Sequence, residues 1–277
     1  MKTFTEPRKL QKWCAARKRA GAKIALVPTM GYLHDGHLSL IELAKRKGAD
    51  EIVVSVFVNP VQFCPGEDYE KYPRDEKADL AKCRKAGATA VFFPTPDNMY
   101  LPRHSVYICE EDLSKGLCGA RRPGHFRGVC TVVAKLFNLV GPDFAVFGQK
   151  DYQQAQVIRR MVRDLNFGLD VIVAPIVREP SGLARSSRNT YLSPAEREMA
   201  IAISRELRGL KARAGASGGK VRLSALSARL AAAGLRVDYV ECVDAETLEV
   251  RKRVEKGCCV LVAAYCGKTR LIDNVLI

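Results

Sequence analysis

The 277-residue chain contains no run of the roughly 18–20 apolar residues that a transmembrane helix requires, and its N-terminus lacks the apolar h-region of a secretory signal. A membrane role is therefore set aside, and a cytosolic location is expected. Its ten cysteines (14, 64, 83, 109, 118, 130, 242, 258, 259, 266) are scattered and contain no C-x-x-C, so neither a disulfide framework nor a cysteine-based metal site is expected. They read as free thiols acting as small hydrophobes. There is no internal repeat, no low-complexity tract, and no recognition-helix, RNP-type or zinc-finger signature. The net charge of +15 is accordingly assigned to solvated helix faces, such as Arg8, Lys9, Lys12, Arg17, Lys18 and Arg19, or Arg159, Arg160 and Arg163, and no nucleic-acid partner is expected. With 47% hydrophobic and 27% charged residues the composition is that of an ordinary globular protein of one large or two modest domains.

What the chain does contain is alternation. Strand-like runs at 23–27, 52–58, 88–93, 144–147 and 169–173 are interleaved with helix-like runs at 37–47, 75–85, 128–139 and 152–164, after a short basic helix near 6–20. Ile52-Val-Val-Ser-Val-Phe-Val58 is apolar at nearly every position, as a parallel strand covered on both faces must be. A further β-like stretch is read at Ser105–Cys109. The order points to an α/β fold with a Rossmann-like, doubly wound parallel sheet. After Val177 the character changes: a polar loop (178–189), a helix (194–214), a flexible Gly215-Ala-Ser-Gly-Gly219 break, a helix (224–233), and strands at 236–243, 259–265 and 271–275. The domains are set at 1–177, nucleotide-binding and Rossmann-like, and 178–277, a smaller α+β lid domain.

Two of the four histidines fall in one turn, His34-Asp-Gly-His37, directly after the first strand of that sheet. If the turn opens a helix, both side chains project from one face beside backbone N–H groups that have no intrahelical acceptor. That arrangement is an anion site: the helix end carries roughly +0.5 charge, and the imidazoles add donors. A second phosphate-like turn is Phe147-Gly-Gln-Lys-Asp151, where Lys150 supplies mobile charge, Gly148 close approach and Asp151 either a ligand contact or a helix cap. A third, Ser186-Ser-Arg-Asn189, offers hydroxyls and a guanidinium suited to phosphate oxygens, though turn chemistry explains the same residues. Asn59 and Gln62 lie just past the second strand of the alternating set, with amides that would face the same crevice edge as His34.

In order and spacing over residues 20–195, Thr29–His37, Val58–Phe63, Tyr72–Arg74, Gly124–Val129, Phe147–Gln154 and Ser186–Asn189 resemble the successive motifs of the pantothenate synthetase family. The resemblance implies a nucleotidyltransferase-type fold related to class I aminoacyl-tRNA synthetases. It also implies an ATP-dependent ligation of pantoate to β-alanine through pantoyl adenylate, releasing pyrophosphate and AMP, with Mg2+ and a homodimer formed through the first domain. By that analogy ATP is held by Met30, Gly31, Tyr32, Leu33, His34, Asp35, Gly36 and His37, by Gly148, Gln149, Lys150 and Asp151, by Val177, and by Arg185, Ser186, Ser187 and Arg188. Gln62 and Gln154 hold pantoate, β-alanine arrives near Gln62, and His37 is the proton donor; His34, Lys150 and Arg188 are expected to share in catalysis. The chain departs from the family where Ser181-Gly-Leu-Ala-Arg185 replaces the usual Asp-Gly-Leu-Ala-Met, so that an arginine stands where it could reach the triphosphate or point into solvent. Two other readings compete. A simple adenylyltransferase would use the same histidines to give a dinucleotide product, and a nucleic-acid-binding protein would exploit the +15 charge.

Overall fold

A computed structural model describes residues 1–217 and 222–277. The chain divides into two compact units, one of Met1–Gly148 with Gln154–Pro175, the other of Gln149–Gln153 with Ile176–Ile277.

The first unit is a six-stranded sheet of β1 (Lys2–Phe4), β2 (Ile24–Thr29), β3 (Glu51–Val56), β4 (Ala90–Phe92), β5 (Phe144–Gly148) and β6 (Asp170–Ala174), in the order β1-β4-β3-β2-β5-β6. Every pairing is parallel. Connecting them are α1 (Pro7–Arg19), α2 (Asp35–Arg46), α3 (Glu76–Ala86), the short α4 (Pro96–Met99) and α5 (Leu117–Arg121), α6 (His125–Val140) and α7 (Tyr152–Asp164). All six residues of β3 are buried, including Glu51, whose carboxylate is met by Arg17 of α1. Val27, Ile41, Val54, Val91 and Val146 form the core between the sheet and its helices. From β2 the chain steps outward through β3 to β4, then returns to β5 on the other side of β2. The strand order thus reverses beside β2, and in such sheets ligands bind outside the carboxyl ends at that reversal.

Three local expectations are corrected. Ser105–Cys109 makes no strand: its side chains sample extended-chain preferences, but no sheet edge pairs with it, and the Ile108 N–H is satisfied instead by Thr131 Oγ1 of α6 at 3.0 Å. An unexpected strand, β1, opens the chain; at three residues it is too short for any period-two pattern to announce it. Third, α6 starts at His125 rather than Gly128, because Gly124 takes a left-handed conformation (φ 80°) as its N-cap.

The second unit holds a three-stranded antiparallel sheet, β7 (Arg236–Asp244), β8 (Cys258–Cys266) and β9 (Thr269–Leu276), with β8 central. Helices α8 (Pro194–Ser217) and α9 (Leu223–Ala232) cover it, and Leu207, Leu210, Leu226, Leu230, Val260 and Val262 make its core. Helix α8 runs through Ser217, into the expected glycine break; residues 218–219 of that break lie outside the described residues.

None of the ten cysteines is in a disulfide; seven are buried as small hydrophobes, burial pushing the Cys14, Cys83 and Cys130 thiols up to about 12, whereas Cys64 and Cys118 are half-buried and Cys109 is exposed. The six basic residues named in α1 are exposed. No helix of the described residues is long and apolar enough to cross a membrane.

Candidate active site

In the first unit, β2 runs straight into the histidine turn. His34 is the N-cap of α2, with extended backbone (φ −135°, ψ 175°), and its Nδ1 accepts the Gly36 N–H at 3.1 Å. The reciprocal half of the capping box is His37, three residues on, whose Nδ1 accepts the His34 N–H at 3.3 Å. The rings stack with centroids 4.1 Å apart and planes 28° from parallel. With both Nδ1 atoms acting as acceptors, the neutral imidazoles carry their protons on Nε2. Several backbone donors here are already bonded, the Gly31 N–H to Thr29 Oγ1 (3.2 Å), those of Tyr32 and Leu33 to Asp79 of α3, and that of His37 to His34 O (2.7 Å).

Beyond β3, a 3-10 turn (Pro60–Gln62) carries Gln62, which is 8% exposed. Its Oε1 accepts from Asn59 Nδ2 at 3.0 Å, so its amide nitrogen faces Met30, 3.2 Å from the sulfur. Asn59 is 1% exposed, bonded also to Gly128 O and to the Tyr100 hydroxyl at 2.7 Å. Its amide is thus consumed in aiming Gln62. The same turn is gripped from α6. His125 Nδ1 donates to Gln62 O at 2.8 Å, and Arg122 Nη1 lies 3.0 Å from His125 Nε2 while Glu67 engages Arg122 through both carboxylate oxygens at 2.6 Å. Gly128 permits this closeness: a Cβ there would stand 2.5 Å from Val61 O and 2.6 Å from Gln62 Cα. Gln154, half-buried, sits in the first turn of α7 after β5, so both glutamines follow strands that flank β2.

In the second unit, Gln149 and Lys150 are tied to β9 by Asn274, which is 2% exposed. Its Nδ2 donates to both carbonyls, at 2.9 and 3.0 Å, and its Oδ1 accepts from Gln149 Nε2 at 3.1 Å. Lys150 Nζ lies 3.8 Å from Asp151 Oδ2. Ser186 caps a 3-10 helix (Ser187–Tyr191) by accepting the Arg188 N–H, and Ser187 is buried. The strand-like bend before it is pinned at both ends. Arg185 N–H donates to Val177 O at 2.9 Å, and Glu179 accepts from Asn189 Nδ2 (2.9 Å) and Arg197 Nη1 (3.2 Å). Within the loop, Arg185 Nη1 stands 3.9 Å from Glu179 Oε1. Ser181 Oγ accepts the Leu183 N–H in the tight turn that carries Gly182 at φ 95°.

Asp79, Lys82, Glu67, Arg122, Tyr100, Asn274 and Glu179 drew no attention in the sequence. Each acts across 10 to 125 residues of chain, and no periodicity or local spacing marks such a contact.

A doubly wound parallel sheet, with paired histidines at the carboxyl end of its switch-point strand and a second set of anion-compatible residues on a smaller α+β unit, defines an enzyme of the nucleotide-using α/β class. The model of one family, Pantoate-beta-alanine ligase, matches residues 2–276, and the chain belongs to that family and is a ligase. It is 54% identical over 268 residues to the pantothenate synthetase of Myxococcus xanthus, covering 95% of this chain and 91% of that one. Among solved structures, the pantothenate synthetase of Thermus thermophilus matches with a TM-score of 0.91 and 44% identity over 99% of both chains. The Francisella tularensis pantoate-beta-alanine ligase, complexed with beta-gamma ATP and beta-alanine, matches at TM-score 0.84 and 33% identity, over 100% of this chain and 97% of that one.

Proposed function

We propose that this enzyme joins pantoate to β-alanine at the expense of ATP, in two steps. A pantoate carboxylate oxygen attacks the α-phosphorus of ATP; a P–O bond forms, the bond to the β-phosphate breaks, and pyrophosphate leaves. The β-alanine nitrogen then attacks the acyl carbon of pantoyl adenylate; a C–N bond forms, the acyl–phosphate C–O bond breaks, AMP leaves, and the amine gives up a proton.

The first step brings two anions together, so its chief requirement is donors aimed at charge that develops in the transition state. The observation that carries the reading is the His34–His37 pair, whose engaged Nδ1 atoms put Nε2–H on both rings at the carboxyl end of β2. In this assignment His34 and His37 stabilise the α-phosphoryl oxygens. Met30, Gly31, Tyr32, Leu33, Asp35 and Gly36 shape the turn, while Gly148, Gln149, Lys150, Asp151, Val177, Arg185, Ser186, Ser187 and Arg188 serve the nucleotide from their own segments, with Lys150, Ser187 and Arg188 on the leaving pyrophosphate. Gln62 and Gln154 take the hydroxy acid, and Asn59 becomes a positioning residue for Gln62. Mg2+ enters with the triphosphate as substrate. The functional domains of this reading are 1–177 and 178–277. A cytoplasmic homodimer formed through the first domain completes the proposal.

The test is AMP formation by the whole enzyme. AMP that requires ATP, pantoate and β-alanine together supports the reading. AMP without pantoate, no AMP at all, or a dinucleotide product overturns it, the last in favour of an adenylyltransferase.

A further inference from the structure

The segment between β2 and the histidine turn is conformationally expensive. Gly31 (φ 89°) and Tyr32 (φ 51°) are consecutive residues in the left-handed region, and for an aromatic residue that backbone persists only where its surroundings impose it. Alanine could not replace Gly31, since a Cβ there would stand 2.8 Å from Val56 Cγ1 and 3.1 Å from Asp79 Oδ2.

The imposing group is one face of α3. Asp79, 1% exposed, accepts the Tyr32 N–H on Oδ2 at 2.8 Å and the Leu33 N–H on Oδ1 at 2.7 Å. Three residues on, hence on the same helix face, Lys82 Nζ donates to Leu33 O at 2.7 Å and lies 5.9 Å from the centre of the Tyr32 ring. A single carboxylate spanning two adjacent N–H groups fixes the peptide plane between them, and the ammonium fixes the next carbonyl. The following residue is His34, whose extended backbone opens the capping box. A buried carboxylate would be a liability in this position without such use, because it must be desolvated. Burial does push its proton affinity up, against the pull of the two N–H groups.

Resting on the ligase reading above, we propose that Asp79 and Lys82 are positioning residues: a clamp from α3 that holds Gly31–Leu33 in its left-handed path and thereby sets the His34 and His37 imidazoles for adenylate formation. Neither touches the reacting atoms. Asp79→Asn keeps the size but turns one acceptor into a donor facing an N–H, so one of the two bonds must fail.

The experiment compares Asp79→Asn, Lys82→Met and Lys82→Arg with wild type, and with Cys83→Ala, a buried change on the same helix that removes none of the clamp's hydrogen bonds. Pyrophosphate release from ATP and pantoate is expected to fall about 100-fold in Asp79→Asn, the scale of a small misplacement of catalytic groups. It should fall about 10-fold in Lys82→Met and recover in Lys82→Arg, with KM for β-alanine unchanged. The second readout is independent of activity. Nitrogen chemical shifts of the four histidines near pH ~8, where neutral imidazole dominates, should show Nε2–H tautomers for His34 and His37 in wild type and mixed tautomers in Asp79→Asn. Wild-type rates and tautomers in Asp79→Asn would overturn the clamp, as would a loss of rate in Cys83→Ala that tracks its melting temperature as closely as in Asp79→Asn. If wild type makes no adenylate, the ligase reading fails, and the tautomer shifts alone decide the clamp.

Discussion

The imidazole of His37 packs on that of His34 at 4.1 Å, each ring accepting a backbone N–H of the turn they share. One interaction does two things: it caps α2, and it leaves both rings with their proton on the nitrogen opposite the cap. In the proposed reaction the structural and catalytic demands on the pair therefore coincide, and a change at either position should be felt in both.

His37→Ala removes one side of the capping box and one donor. Pyrophosphate release from ATP and pantoate should drop by about 10²–10³-fold, the loss typical of a single oxyanion-type donor. Loss of the cap should also cost about 1 kcal/mol of stability, read as a lower melting temperature. Near-wild-type adenylation would remove His37 from the mechanism.

Gly128→Ala places a methyl group where Val61 O and the Gln62 backbone now lie. The Asn59–Gln62 turn must move away from α6, so in the proposed reaction KM for pantoate should rise at least about 10-fold while KM for ATP changes little. Steady-state kinetics with each substrate varied in turn checks the split.

Asn274→Leu strips three hydrogen bonds from Gln149 and Lys150 and takes the Asn274 partner from two half-buried carbonyls. A destabilisation of about 2–4 kcal/mol is expected from urea unfolding. In the proposed reaction the displaced Lys150 should also slow pyrophosphate release.

Glu67 supplies the pH dependence. Burial raises its carboxyl, but the Arg122 hydrogen bonds and charge, the Cys64 N–H and the nearby His125 together hold it below the usual glutamate range. A depressed folded-state value means the contribution is fully present above the unfolded value of ~4.3 and is lost as pH falls through the lower folded value. Melting temperature measured downward from neutral pH should therefore fall less steeply below pH ~4.3 in Glu67→Gln than in wild type. The variant should start from a lower plateau, because Arg122 loses its charged partner.

How much of this was legible beforehand follows from range along the chain. The 52–58 run, apolar at nearly every position, showed a strand buried on both faces, and β3 is buried throughout. Histidines at a spacing of three beside a strand end showed a helix-opening turn, and α2 opens there. Val106-Tyr-Ile108 misled because side-chain preference encodes an extended backbone, not the presence of a partner strand.

The sequence by itself determined the alternation of strands and helices and the parallel, Rossmann-like class of the larger sheet, since period, turn residues and buried apolar runs are all local. Tertiary structure alone decided which way the candidate side chains point. Asp79 and Lys82 on the backbone of Gly31–Leu33, and Asn274 on Lys150, are contacts between segments 46 to 124 residues apart, created when apolar faces bury and the polar groups carried with them must find partners. The histidine tautomers belong to both levels: two residues at a spacing of three made the pair possible, and the folded turn chose the nitrogen.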